Sequence, residues 1–98
     1  MVAYEEEPGV LSFSGDEDMA TQGLRRGALA RAIKGSGDVI VDLRDLVFAD
    51  SSLIFDLAIL GQRMRAHGRR LLLSGAQPQI ARLIELAGLH LQPGIELA

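Results

Sequence analysis

Hydrophobic and polar residues alternate along the first part of this chain and later recur at helical intervals, and this order predicts the elements. Residues 2–6 and 10–14 are separated by a proline–glycine pair, and the second stretch alternates with the period of a strand. Together they predict a β-hairpin. Residues 39–41 and 71–73 are continuous apolar runs that predict buried strands, the first of them covered on both faces.

Three stretches with apolar residues at intervals of three to five residues predict helices at 19–33, 53–67 and 78–87. Thr21 is a candidate cap for the first helix, and Gly68 and Gly88 follow the last turns of the other two. Either residues 89–91 or residues 95–97, on opposite sides of a proline–glycine turn, are expected to supply a last short strand.

The order of elements predicts an α/β fold. It reads strand, strand, helix, strand, helix, strand, helix, strand, which implies parallel strand pairs with right-handed crossovers after the initial hairpin. We expect residues 1–98 to form a single domain, with a mixed four- to five-stranded sheet and about three helices packed on it. Whether the helices cover one face of the sheet or both is left open by the pattern.

Composition bounds the class of protein. The chain has 98 residues, of which 48% are hydrophobic and 23% are charged, a balance typical of one globular domain. It contains no cysteine, which excludes disulfides and zinc–thiolate sites. The acidic start lacks a signal-peptide pattern, and no apolar run reaches the ~18 residues of a membrane span, so a cytoplasmic protein without membrane contact is expected.

The charge is unevenly distributed, although the net charge is only −3. Residues 1–18 carry six acidic groups and no basic one, whereas arginines cluster at Arg25 and Arg26 and again at Arg69 and Arg70. We interpret these arginines as solvated helix faces and helix ends. The negative net charge and the presence of only four aromatic residues argue against direct nucleic-acid binding.

No pattern indicates catalysis, a metal or a cofactor. His67 and His90 fall in no metal-ligand spacing, and no glycine-rich phosphate loop is present. We expect both histidines to be solvated, His67 at a helix end and His90 on a short strand. A nucleophilic serine would need a neighbouring base, and no imidazole accompanies Ser51, so an enzyme is not predicted.

Residues 50–52, Asp-Ser-Ser, lie where a predicted strand leads into the longest predicted helix. Taken alone, this pattern favours an N-terminal helix cap, worth about 1 kcal/mol. The functional alternative is a phosphorylation switch, in which a phosphoserine adds about −1.5 to −2 charge. The free amides of a helix N-terminus would tolerate that charge.

Residues 10–18, together with the Asp-Leu-x-x-Leu-x-Phe-x-Asp-Ser-Ser run at 42–52, resemble a STAS domain. The resemblance is nearest to bacterial anti-sigma-factor antagonists and extends over residues 9–92. It implies a partner-switching regulator of transcription, of the kind that acts in stress responses. Ser51 matches the phosphorylated serine, Asp18 and Asp50 match the acidic positions near it, and Ser52 keeps mainly a capping role.

The resemblance also implies the partners. One is an anti-sigma factor that is a serine kinase of the GHKL type, and it binds the unphosphorylated antagonist and releases the phosphorylated one. The other is a serine phosphatase that removes the phosphate from the antagonist. The alternative is a STAS scaffold or interaction subunit of a signalling or lipid-transport complex that is never phosphorylated. Binding of a small molecule or nucleotide by the domain has no motif here.

The start of the helix departs from the family pattern. Relatives usually continue Ser-Ser-Gly-Leu-Gly, whereas here Leu53 and Phe55 replace the two glycines. On a helical wheel Phe55 and Ile59 are neighbours on the side opposite the apolar stripe. We therefore expect a partner-binding surface that includes Leu53, Ile54, Phe55 and Ile59, and an apolar surface of this kind would also permit weak homodimerisation.

Overall fold

The computed structural model describes all 98 residues, Met1–Ala98, and its elements follow the predicted order with one addition. The strands are β1 (Val2–Glu5), β2 (Val10–Glu17), β3 (Val39–Ala49), β4 (Leu71–Ser74) and β5 (Ile95–Leu97). The helices are α1 (Gln22–Lys34), α2 (Ser51–Arg65) and α3 (Pro78–Ala87). Of the two candidates for the last strand, Ile95–Leu97 is the strand, and Leu89–Leu91 forms a short 3₁₀ helix.

The five strands form one sheet in the order β1-β2-β3-β4-β5. The strands β1 and β2 pair antiparallel, and the other three pairs are parallel. The predicted α/β class, with a mixed sheet and three helices, is therefore confirmed. Parallel order brings the carboxyl ends of β2, β3 and β4 to the same edge, where each strand leads into a helix.

The helices cover one face of the sheet. Residues from all three helices and from one face of the strands form a single buried cluster, with Leu29, Leu57 and Ile84 as representatives of α1, α2 and α3. On β3, Val39 and Val41 are fully buried, but Ile40 between them is 41% exposed. The prediction that residues 39–41 are buried on both faces is therefore wrong.

The open face explains that error. Ile40 pairs with Val10 on β2 and with Leu72 on β4, so three aliphatic side chains lie side by side on the face without helices. Cross-strand contacts of this kind stabilise a sheet without a covering layer. An uninterrupted apolar run in the sequence can therefore mark a strand that is covered on one face only.

Two other expectations about charged and polar groups are corrected by the fold. Arg69 is 8% exposed, and its guanidinium donates hydrogen bonds of 2.7–2.8 Å to the carbonyls of Ala32, Ile33 and Gly37. It therefore caps the end of α1 and is not a solvated cation. His67 is exposed, as expected, whereas His90 is half-buried in the 3₁₀ helix and does not lie on a strand.

Gly61 allows α2 to approach β5 closely. A Cβ atom at this position would lie 2.5 Å from Cδ1 and 2.7 Å from Cγ1 of the buried Ile95 side chain. Gly27 in α1 is a matched control, because a Cβ atom there would meet only Arg31 Nη1 at an ordinary 3.7 Å.

Gly27→Ala is expected to raise the free energy of unfolding by about 1 kcal/mol through helix propensity. Gly61→Ala gains the same propensity but overpacks the core, so its unfolding free energy should be about 1–3 kcal/mol below that of Gly27→Ala. Urea unfolding of both variants measures the difference, and equal gains would show that Ile95 moves aside without cost.

Candidate functional site

Asp50 joins the end of β3 to the start of α2 and caps the helix. Its backbone is extended, with φ −109° and ψ −176°, as at an N-cap residue. Its Oδ1 atom accepts a hydrogen bond from the Ser52 amide at 2.9 Å and another from the Ser52 hydroxyl at 2.5 Å. The expected cap is thus present, and Asp50 provides it with the support of Ser52.

The same carboxylate holds the β2–α1 loop against α2. Its Oδ2 atom accepts a hydrogen bond from the Met19 amide at 3.1 Å, and the Asp50 amide donates to the Glu17 carbonyl at 3.2 Å. Asp18 is engaged within the loop, where its Oδ1 atom accepts from the amides of Ala20 and Thr21. Asp50, rather than Asp18, therefore makes the direct bond between the two elements.

Ser51 and Ser52 differ in their surroundings. Ser51 is the first residue of α2 and is exposed. Ser52 is half-buried, and its hydroxyl donates to Asp50 while accepting from Arg25 Nη2 at 2.8 Å. The capping role that was expected mainly of Ser52 thus belongs to Asp50, whose carboxylate the Ser52 hydroxyl supports. The Ser51 side chain lies at the surface.

Arg25, which was expected to be solvated, is the centre of a buried polar network. The side chain is 0% exposed, and its guanidinium donates to Asp56 Oδ2 at 2.8 Å and to Glu17 Oε1 at 3.2 Å. It also donates to the Asp18 carbonyl and the Ser52 hydroxyl, and Glu17 itself is 1% exposed. The interpretation of Arg25 as part of a solvated helix face is therefore wrong.

A sequence signal for this network existed. Arg25, Ala28, Leu29 and Ala32 follow the i, i+3, i+4, i+7 spacing of one helix face, and all four are buried. Thr21 lies at the N-cap position of α1, but its hydroxyl donates to the Glu17 carboxylate and makes no cap bond. The predicted cap is therefore absent, and the hydroxyl belongs to the network instead.

Hydrogen bonds lower the pKa of Asp50 below its usual value of 3.8, chiefly the bond from the Ser52 hydroxyl. The backbone amides of Ser52, Met19 and Leu53 act in the same direction, while partial desolvation opposes them. The carboxylate is therefore ionised throughout the neutral range.

A lowered folded-state pKa contributes stability that is complete above the unfolded value of 3.8 and is lost as the pH falls through the folded value. Asp50→Asn should therefore flatten the loss of stability on acidification below about pH 4. In Ser52→Ala the Asp50 pKa should move up towards 3.8, as followed by carboxyl NMR titration. An unchanged value would exclude the Ser52 hydroxyl as the main cause.

The expected partner-binding residues do not share one environment. Leu53 is 1% exposed and belongs to the core with Leu57, so its inclusion in a partner-binding surface is wrong. Ile54 and Ile59 are half-buried, and Phe55 is 63% exposed. The start of α2 therefore presents Ser51 and, one turn later, Phe55 to solvent and turns Leu53 inward.

A shallow groove of about 560 Å³ adjoins these residues. It is lined by Ser51, Phe55 and Met19, the last of which is 74% exposed, together with five others. None of the eight lining residues carries a charge. The Ser51 hydroxyl, which the resemblance implies is the phosphorylation site, thus borders an uncharged, partly apolar surface.

No cluster of three or more His, Cys, Asp or Glu residues is arranged to hold a metal ion. None of the helices combines the length and hydrophobicity needed to cross a bilayer.

Comparison with known proteins identifies the family. The STAS domain model matches residues 1–97, and the chain belongs to that family. The fold is similar to that of the anti-sigma factor antagonist SpoIIAA in its unphosphorylated form, with a TM-score of 0.73, 17% identity, and coverage of 100% of this chain and 86% of the other. It is also similar to the phosphorylated form of the Bacillus cell fate determinant SpoIIAA, with a TM-score of 0.63, 22% identity, and coverage of 91% and 80%. A search of curated protein sequences found no match.

Proposed function

We propose that this protein is an anti-sigma-factor antagonist that works by partner switching at Ser51. The observation that carries the proposal is that the polar residues at the start of α2 have different surroundings. The Asp50 carboxylate caps the helix and the Ser52 hydroxyl is bonded to that carboxylate, whereas Ser51 is exposed at the first helical position. A modification at Ser51 therefore changes the surface and leaves the cap intact.

In this proposal the unphosphorylated protein binds a bacterial anti-sigma factor, a serine kinase of the GHKL type, and so regulates transcription indirectly from the cytoplasm. The kinase transfers the γ-phosphoryl group of ATP to Ser51 Oγ. ADP leaves, and the hydroxyl proton passes to a base on the kinase. The phosphorylated protein is released, and a serine phosphatase returns the phosphate to water as inorganic phosphate.

The structure is compatible with a phosphate at this position. The N-terminus of α2 offers a favourable dipole for a dianion, so the helix should persist after modification. Asp50 lies one residue away, and its carboxylate already accepts bonds from Met19 and Ser52. Repulsion by Asp50 and the engagement of its oxygens favour a phosphate that points outward, towards a partner.

The surface that meets the partner is expected to include Ile54, Phe55 and Ile59 on α2. Phe55 is the most exposed of the three, and the half-buried isoleucines flank it. Leu53 supports this surface from the core. The chain itself supplies no catalytic group in this proposal, because it acts as substrate and ligand of the kinase.

The test is incubation with ATP and the anti-sigma kinase encoded nearest to this gene, followed by mass spectrometry. One phosphate on Ser51 is expected in the parent protein and none in Ser51→Ala. Ser51→Asp is expected to lose kinase binding. Phosphate at another residue, or none with any candidate kinase, would remove the switch, and unchanged binding by Ser51→Asp would favour a constitutive scaffold subunit.

A further inference from the structure

Phe55 and Ser51 are neighbours on the exposed side of α2. They are four positions apart along the helix (i and i+4), so their Cβ atoms are about 5–6 Å apart on the helix surface. Ser51 is exposed and Phe55 is 63% exposed. A binding partner that covers the Phe55 ring therefore also covers a group attached to Ser51 Oγ.

The groove beside these two residues contains no counter-charge for a phosphate. All eight residues that line it are uncharged. The nearby cation, Arg25, is 0% exposed, and its guanidinium is already bonded to Glu17, Asp56 and Ser52. The charged group adjacent to Ser51 is Asp50, which is acidic. A phosphate here is stabilised by water and by the helix dipole, and it loses that water when the surface is covered.

We propose that Phe55 is the contact through which phosphorylation of Ser51 is sensed, a statement that rests on the proposed function. In the bound state the ring occupies an apolar pocket of the anti-sigma partner. A phosphate one turn away causes release because closing the pocket over the ring would strip water from an unpaired dianion.

The proposal predicts that the two residues are energetically coupled in binding. In the parent protein, Ser51→Asp is expected to weaken kinase binding about 100-fold. In a protein that already carries Phe55→Ala, the same substitution is expected to weaken binding about 10-fold or less. The difference between these two effects is a coupling within the range found for contacting residues. Phe55→Leu, which keeps an apolar side chain, should retain most of the coupling. Protein phosphorylated at Ser51 should behave as Ser51→Asp does.

Four proteins are compared by calorimetric titration of the kinase: the parent, Ser51→Asp, Phe55→Ala and the variant that carries both substitutions. The titrations give the affinity ratios directly. Leu86→Ala on α3 is the matched control, because Leu86 is 74% exposed and lies outside the groove, and it should show no coupling to Ser51→Asp. Additive effects, or unchanged binding by Phe55→Ala alone, would overturn the role of Phe55 and leave the switch at Ser51 standing. Failure of the parent protein to bind any candidate kinase would instead remove the proposed function, and this inference with it.

Discussion

Replacing Arg25 with alanine is expected to lower the free energy of unfolding by up to about 3 kcal/mol, because the buried Glu17 carboxylate loses its guanidinium partner and keeps only the terminal ammonium of Met1 at 2.8 Å. Arg25 is 0% exposed and Glu17 is 1% exposed, so water does not substitute for the lost partner. A domain of this size has a total stability of about 5–15 kcal/mol, so a loss of this size would be a large fraction of the total. Urea unfolding followed by circular dichroism measures the loss.

The double variant Glu17→Met/Arg25→Met tests whether the loss comes from the buried Glu17 carboxylate that has lost its guanidinium partner. Replacing a buried ion pair by apolar residues of similar volume is often neutral or stabilising, so most of the stability should return. Arg26→Ala is the matched control, because Arg26 is the exposed neighbour on the same helix, and it should change stability by no more than about 0.5 kcal/mol. If Arg25→Ala costs as little as Arg26→Ala, the network is not buried in solution.

Phe55→Asp is expected to abolish kinase binding and to leave the melting temperature nearly unchanged. Truncating a central aromatic contact commonly costs 2 kcal/mol or more of binding free energy, about 30-fold in affinity, and an added charge increases the loss. The ring is 63% exposed, so the folded state loses little packing. Calorimetric titration and differential scanning calorimetry measure the two quantities on the same sample.

Leu53→Asp provides the contrast for this prediction. Leu53 is 1% exposed, and a carboxylate at this position would be buried among apolar side chains without a partner. This variant should unfold and lose binding for that reason alone. If Phe55→Asp also lost its cooperative unfolding transition, Phe55 would belong to the core, and its proposed role in the partner surface would fall.

Much of the fold could be predicted because its determinants are local. The alternation in residues 10–14 and the three- and four-residue steps of Leu53, Leu57, Leu60 and Met64 reflect the geometry of single elements. The strand–helix order then leaves few arrangements for a sheet with short connections. For the same reason the cap at Asp50 could be found, since it involves groups only two residues apart.

The errors concern contacts between elements. Arg25 belongs to a cluster of arginines in the sequence, but Glu17 and Asp56 reach it from β2 and α2. Leu53 lies only two residues after the exposed Ser51 but turns inward, because successive helical positions are rotated by about 100°. Ile40 lies on an open face because all three helices pack on the other side of the sheet.

The sequence by itself determined the class of fold, the family resemblance and the position of the strand-to-helix junction at residues 50–52, because each depends on periodicity or on a contiguous motif. The tertiary structure decided which serine is exposed, which apolar residues of α2 reach solvent and how the junction is held. These properties depend on the packing of α1 and the β2–α1 loop against α2, where a buried charge network and a single carboxylate join residues far apart in the chain.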